Sequence, residues 1–317
     1  MVDDKIEIRV PENRLDLLKA YLEGALTGRN LLIFANGYRP RKPIPIENPK
    51  EPDVVSFADT KGYWAGIDAM FINRIGTRNV VYADGHMEVA TSNHKSQQGF
   101  MKNMVDWYCA TGWWNCPMFG LNFMFTTTDC GAMWHNPLVF KLNTTPNNDG
   151  FKQRLNAGKL CGLDIIDKIK NGTIDFDPSS DSIDIVSHSM GHAYAVGIIE
   201  ALKASSLKLK FGRFYVLAPE NACSAYGAFD LGIFEEVWQY GSNERLPVKS
   251  WEQDGIAPQC PVPGIDNPAM YTKTNHGRVN FPDHLDPKHY LDCHVIVSYY
   301  WLFSERKKGM PGYVKPR

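Results

Sequence analysis

Residues 182 to 202 read SIDIVSHSMGHAYAVGIIEAL, and few folds can accommodate them. Ile183, Ile185 and Val186 form a short β-branched run suited to a buried strand. From Met190 to Leu202 the Ala, Val, Ile and Leu residues recur as they do on a packed helix. The strand must therefore turn straight into the helix at Ser189. A turn that sharp strains the backbone of its central residue and brings the flanking chain close, so the positions two before and two after must be small. Ser187 and Gly191 are small. The arrangement lifts one side chain out of the fold and aims the first free amides of the helix at whatever bonds to it. The pattern is S-x-S-x-G, so at its first position serine adds one hydroxymethyl group where glycine is usual.

The rest of the chain supplies a setting for that turn. IEIRV (6–10) reads as a strand, NRLDLLKAYLEGAL as an amphipathic helix, and LLIFANG (31–37) as a strand covered on both faces. A Pro-rich loop (40–53) precedes a helix around Trp64 to Ile75, the buried strand NVVYADG (79–85) and the helix SQQGFMKNMVDWYCA (96–110). Between Thr111 and Gly150 the pattern dissolves into aromatic, Gly- and Asn-rich sequence without a period. FKQRLNAGKLCGLDIIDKIKNG then resumes as a helix that Gly172 can end. RFYVLAPE (213–220), EEVWQYGS (235–242) and AMYTKTN (269–275) follow as strands, and a last helix starts at Asp286 with Pro287 in its first turn. Strands alternating with helices predict an α/β fold with a mostly parallel central sheet between helices. With 317 residues, one domain spanning 1–317 is expected, with 111–150 as an insertion within it.

Composition narrows the function. Net charge is −1 and the basic residues are spread out, which argues against nucleic acid as the main partner. The seven cysteines form no C-x-x-C pair and no zinc spacing; a disulfide within 109–161 is conceivable, and free buried thiols are the expectation. No metal cluster is visible, and GTRNVVYADG lacks the glycine spacing of a phosphate-binding loop, so no cofactor is expected. The N-terminus has no basic start followed by an apolar run, and no segment approaches eighteen apolar residues. The expectation is a soluble chain without a signal peptide or transmembrane segment, cytoplasmic or exported by a signal-independent route.

A serine hydroxyl is a weak nucleophile at neutral pH and needs a base, a group that orients the base, and donors for the oxyanion. In parallel α/β sheets such parts collect beyond the carboxyl ends of the strands. After LLIFA comes Asn36-Gly37-Tyr38, whose amides can face the serine, so the backbone groups of Tyr38 and Met190 are the expected oxyanion hole. Each such donor is worth roughly 2.7–4 kcal/mol in the transition state. Asp254 in WEQDGIAPQ and Glu244 in YGSNERLP are the candidate acids.

The NGY turn, the SHSMG elbow and the QDGIAP segment resemble, in order, the H-G-x oxyanion turn, the G-H-S-x-G elbow and the N-D-G-x-V acid segment of bacterial lipases, and the chain is similar to the α/β-hydrolases. That resemblance implies the α/β-hydrolase fold, helices on both faces of the sheet, Ser189 as nucleophile, Asp254 as acid and a histidine downstream. Asn36 and Ser187 stand where histidine and glycine are usual.

For the base, His276 in YTKTNHGRV lies directly after the expected final strand, and His284 in FPDHLDP lies just ahead of the closing helix. His289 and His294 fall inside that helix, where packing or surface roles fit better. His188 belongs to the elbow and His192 to the helix behind it, while Asp84 and His86 read as a polar loop. The insertion carries MFGLNFMF, with Phe123 and Phe125, which is too short to span a bilayer but apolar enough to cover an acyl pocket or touch a lipid interface. It reads equally well as a small second core, and a lid that excludes water would strengthen every electrostatic interaction beneath it. The expected activity is hydrolysis of carboxylic esters through an acyl-enzyme, on an apolar, lipid-like acyl substrate. Two other readings stay open: a phospholipase acting as an antibacterial effector or toxin domain, and a catalytically inactive α/β-hydrolase used as a binding module.

Overall fold

Alternate residues of the strand before Asn36 are all apolar, so its two faces must both be covered. In the computed structural model they are: Leu31, Ile33 and Ala35 pack into one core and Leu32 and Phe34 into another, each with no exposed surface. The structure describes residues 28–37, 63–64, 67–85, 148–241, 259–267, 275–281, 294, 296–302 and 313–314. Its elements are β1 (Gly28–Ala35), α1 (Asp68–Ile75), β2 (Thr77–Ala83), α2 (Asn148–Lys170), β3 (Ser182–His188), α3 (Gly191–Ala204), β4 (Lys210–Leu217), β5 (Phe234–Gly241), β6 (Asn275–Asn280) and β7 (Tyr313–Val314). The sheet runs β2-β1-β3-β4-β5-β6-β7, parallel from β2 to β6, with β7 antiparallel to β6.

The two cores explain the α/β expectation physically. On one face α2 and α3 supply Ile165, Ile166, Ile198, Ile199 and Leu202 against Ile183, Ile185, Val216 and Val237. On the other, Trp64, Ile67 and Phe71 beside β1, with Tyr299, Trp301 and Leu302 beyond β6, cover Val186, Tyr215, Leu217 and Tyr240. Parallel strands buried on both faces lose their polar alternation, which is why Leu31 to Ala35 of β1 read as a continuous apolar run. Behind the elbow α2 lies almost in backbone contact with α3: a Cβ on Gly197 would sit 1.9 Å from the Leu155 carbonyl oxygen. Gly172 ends the turn after α2 at φ 77, with its amide on the Ile169 carbonyl 3.2 Å away.

One element runs beyond its expected bounds. Of the strand anticipated at 269–275 only Asn275 is described, and the strand it opens, β6, runs Asn275–Asn280, paired with β5 from Glu236↔Asn275 to Gly241↔Asn280. Asn275–Asn280 holds a single residue of strong strand preference, Val279. It is a strand because the open edge of β5 supplies hydrogen bonds and Val279 fills the core, not because of its own propensity. The expected elements at 6–10, 13–26 and 96–110, nearly all of the 111–150 insertion, and the helix start at Asp286 and Pro287 lie outside the described residues. Only the end of that insertion is described, where Asn148 opens α2. No helix of the described residues is long and apolar enough to cross a membrane.

Candidate active site

The chain after β1 goes to β2 on one side and then returns to β3 on the other, so β1 and β3 are neighbours whose onward connections leave in opposite directions. Crevices for ligands form at such a switch point, beyond the carboxyl ends of the strands. Ser189 follows β3 there, and Asn36-Gly37 follows β1 beside it.

Ser189 has φ 59, the left-handed region that a side chain with a Cβ avoids at a cost of about 1–2 kcal/mol. Its surroundings hold it there. The Ser189 amide donates to the Leu217 carbonyl at 3.0 Å, and its own carbonyl accepts from the His192 amide at 3.2 Å and the Glu220 amide at 3.4 Å. Among the described residues only two other non-glycine residues have positive φ, Ala218 at 40 and Asn221 at 58, and both flank Glu220 in the turn after β4. Among the described residues the left-handed strain outside glycine thus gathers at the ends of two adjacent strands, as it does at functional sites.

The small neighbours anticipated for the turn are required by distance. A Cβ on Gly191 would lie 2.2 Å from the Ala35 carbonyl oxygen. A Cβ on Gly37 would lie 2.7 Å from the Ser189 Cβ and 2.9 Å from its Oγ, so the Gly37 backbone runs directly past the hydroxyl. Ser187 is wholly buried and its Oγ has no hydrogen-bond partner among the described residues, which costs about 1–3 kcal/mol for a hydroxyl deprived of water. The Asn36 side chain, also buried, donates through Nδ2 to the Gly37 carbonyl at 2.9 Å and to Asp84 Oδ1 at 3.1 Å. Asn36 and Asp84 therefore tie together the ends of β1 and β2 and shape the turn beside the serine. Met190 is the residue before α3, and the amides at a helix start have no partner within the helix. Its amide is thus on the same turn as Ser189, as the oxyanion expectation requires.

His188 is buried, and its tautomer follows from its partners. Its Nε2 lies 2.6 Å from the carbonyl oxygen of His294, which can only accept, so Nε2 carries the proton and Nδ1 accepts from the Tyr63 hydroxyl. Burial, with the neighbouring His294, pushes its pKa well below the usual imidazole value. His188 is a neutral clamp rather than a base. His294 itself faces Glu220, Nε2 to Oε1 at 3.6 Å, with its ring centroid 5.1 Å from that of His188. The Glu220 side chain is 1% exposed. The Glu220 charge also acts on Arg154 of α2, a guanidinium whose pKa is lowered by its own burial and raised in part by that carboxylate. His192 lies behind the elbow among Phe151, Phe214 and Phe229, with no part in the cleft.

The expected base does not reach this place. His276 is the second residue of β6 and not a loop residue beyond it. Val237, Phe214 and Ile185 are its successive cross-strand neighbours, which puts it level with Ile185. At ~3.3 Å per residue and ~4.8 Å per strand, it lies about 13 Å below Ser189 and about 14 Å to the side. Its ring is buried, with Nε2 3.0 Å from the Leu231 carbonyl oxygen just before β5, at the opposite end of the sheet. His276 lies within β6 and not in a loop at the serine end of the sheet. The residues that do emerge beyond β6 at the serine end begin with Phe281.

Tyr38, His86, Phe123, Phe125, Glu244, Asp254, His284 and His289 lie outside the described residues. Glu220 was not singled out in the sequence; the signal was APEN, an acidic residue closing an apolar strand, which only strand order turns into a site residue. The cysteines also differ from expectation: Cys223 and Cys260 form a disulfide, with Cα atoms 5.5 Å apart, that pins the 259–267 segment to the turn following Glu220. Cys161 is a free thiol whose pKa is raised by burial. Among the described residues no group of three or more His, Cys, Asp and Glu side chains could hold a metal ion. Comparison of the chain with protein-family models, with curated protein sequences and with solved structures finds no match.

Proposed function

We propose that this chain is a serine hydrolase of carboxylic esters with an α/β-hydrolase architecture, in which Ser189 forms an acyl-enzyme. The observation that carries the reading is Ser189 at φ 59 on a strand-to-helix turn, at the switch point of a parallel sheet, with the Gly37 backbone against its hydroxyl. A serine that merely filled a turn would gain nothing from the strain. The hydroxyl attacks the ester carbonyl carbon, the Met190 amide and one from the turn after β1 receive the oxyanion, and a histidine from the chain beyond β6 takes the hydroxyl proton. That histidine returns the proton to the leaving alcohol, and water releases the acid by the reverse steps. Asp254 remains a candidate for the orienting acid, and the aromatic 111–150 segment, with Phe123 and Phe125, supports an apolar acyl group as the preferred substrate.

A fluorophosphonate probe tests the reading, because it reacts only with an activated serine. The wild-type protein is expected to label and to hydrolyse p-nitrophenyl esters of medium chain length, and Ser189→Ala to do neither while remaining folded. A folded wild type that neither labels nor turns over would sink the proposal and leave a binding module.

A further inference from the structure

We infer that His294 is the base of this site and that Glu220 is the carboxylate that positions it. The inference rests on the reading of Ser189 as nucleophile and replaces both the acid and the base expected from sequence.

Three observations carry it. Glu220 is adjacent to the serine through the backbone itself, its amide bonded to the Ser189 carbonyl at 3.4 Å. No loop has to fold over for it to arrive. Second, a carboxylate with 1% exposure is costly unless charged or hydrogen-bonding partners meet it, and the His294 imidazole stands 3.6 Å away while the carboxylate charge is also felt by the buried Arg154 guanidinium. Third, His294 is anchored to the elbow, since the residue preceding Ser189 donates its Nε2–H to the His294 carbonyl at 2.6 Å. The elbow's own histidine thereby fixes the backbone of the proposed base. The left-handed residues Ala218 and Asn221 on either side of Glu220 bend the turn back towards the serine.

The chemistry follows from the tautomer. A carboxylate beside Nε2 favours the imidazole with its proton on Nε2, which makes Nδ1 the acceptor proposed for the serine proton. As Oγ bonds to the ester carbonyl carbon, its proton passes to Nδ1, and the imidazolium so formed is balanced by the Glu220 charge. Collapse of the tetrahedral species breaks the carbon–alkoxide bond, and Nδ1 gives its proton to the departing oxygen. Water then repeats the sequence on the acyl-enzyme. Glu220 touches neither substrate nor reacting atoms, so it is a positioning residue. The 3.6 Å separation is longer than a hydrogen bond, and such contacts commonly tighten when substrate arrives.

The test uses the full chain, p-nitrophenyl butyrate and the fluorophosphonate probe. Labelling of wild type but not of Ser189→Ala secures the nucleophile independently; loss of labelling in wild type overturns that reading and this inference with it. Given labelling, His294→Ala is expected to abolish turnover, and Glu220→Gln to lower kcat on the order of 10³-fold with little change in KM. In Glu220→Gln the acidic limb of the kcat/KM profile should move to lower pH, because the imidazolium loses its counter-charge, and Glu220→Asp should restore part of both effects. Should Glu220→Gln not fold, the displacement of the acidic limb is sought in Glu220→Ala, which also removes the counter-charge. An unmoved limb, or a folded and active His294→Ala beside inactive Asp254→Asn and His284→Ala, overturns the inference while leaving Ser189 in place.

Discussion

Replacing His192 by phenylalanine should make the protein less sensitive to acid by an amount that the structure sets. His192 has no exposed surface, and neither ring nitrogen has a hydrogen-bond partner among the described residues. It stacks on Phe214 at 5.9 Å and is edged by Phe151 at 6.1 Å and Phe229 at 6.3 Å. Burial pushes its pKa from 6.5 to about 3. The folded state therefore binds the proton less readily than the unfolded chain does. Its contribution is intact above pH 6.5, declines as pH falls because the unfolded chain protonates first, and levels off below the folded value. The slope in that window is about 1.4 kcal/mol per pH unit, so roughly 2 kcal/mol is lost by pH 5. Phenylalanine carries no proton and fits the aromatic surroundings. Urea unfolding of both proteins at pH 7.5 and pH 5.0 would measure it, and the stability gap between variant and wild type should widen by about 2 kcal/mol at the lower pH. Asp184 acts in the opposite sense: burial raises its pKa to about 6, so its contribution falls as pH rises from 3.8 through that value. Both proteins keep Asp184, so the difference between them isolates His192. A gap equal at the two pH values would refute the reasoning and mean that the ring is partnered or hydrated.

Two further perturbations address the site and its support. Gly37→Ala places a methyl carbon 2.7 Å from Ser189 Cβ and 2.9 Å from its Oγ, so the elbow must shift: the urea midpoint should fall, and in the folded variant the rate of fluorophosphonate labelling and kcat/KM should each drop on the order of 10²-fold; a normal labelling rate would mean the hydroxyl does not react from this position. Replacing Cys223 and Cys260 together by alanine opens a loop of sequence separation 37 and should cost about 4 kcal/mol in urea unfolding; a loss under about 1 kcal/mol would show that the 259–267 segment is held by its other contacts.

The sequence by itself determined the elements with a local signal. Leu31 to Ala35 are apolar on both faces and Ile183, Ile185 and Val186 form a β-branched run, so both stretches read as buried strands, and Ser187, Ser189 and Gly191 carried the elbow in five residues. The helices α2 and α3 were legible for the same reason, a period that a few turns suffice to display. What only the tertiary structure decided was which residues stand at which end of the sheet. Asn275–Asn280 became a strand because β5 offered it an edge, and pairing with Val237 puts His276 inside that strand, at the end away from Ser189. Glu220 and His294, like Cys223 and Cys260, meet across long stretches of chain. Short-range patterns record the conformation of each segment, because conformation depends on near neighbours. Register and long-range pairing depend on the whole sheet closing at once, and no short stretch of sequence carries that information.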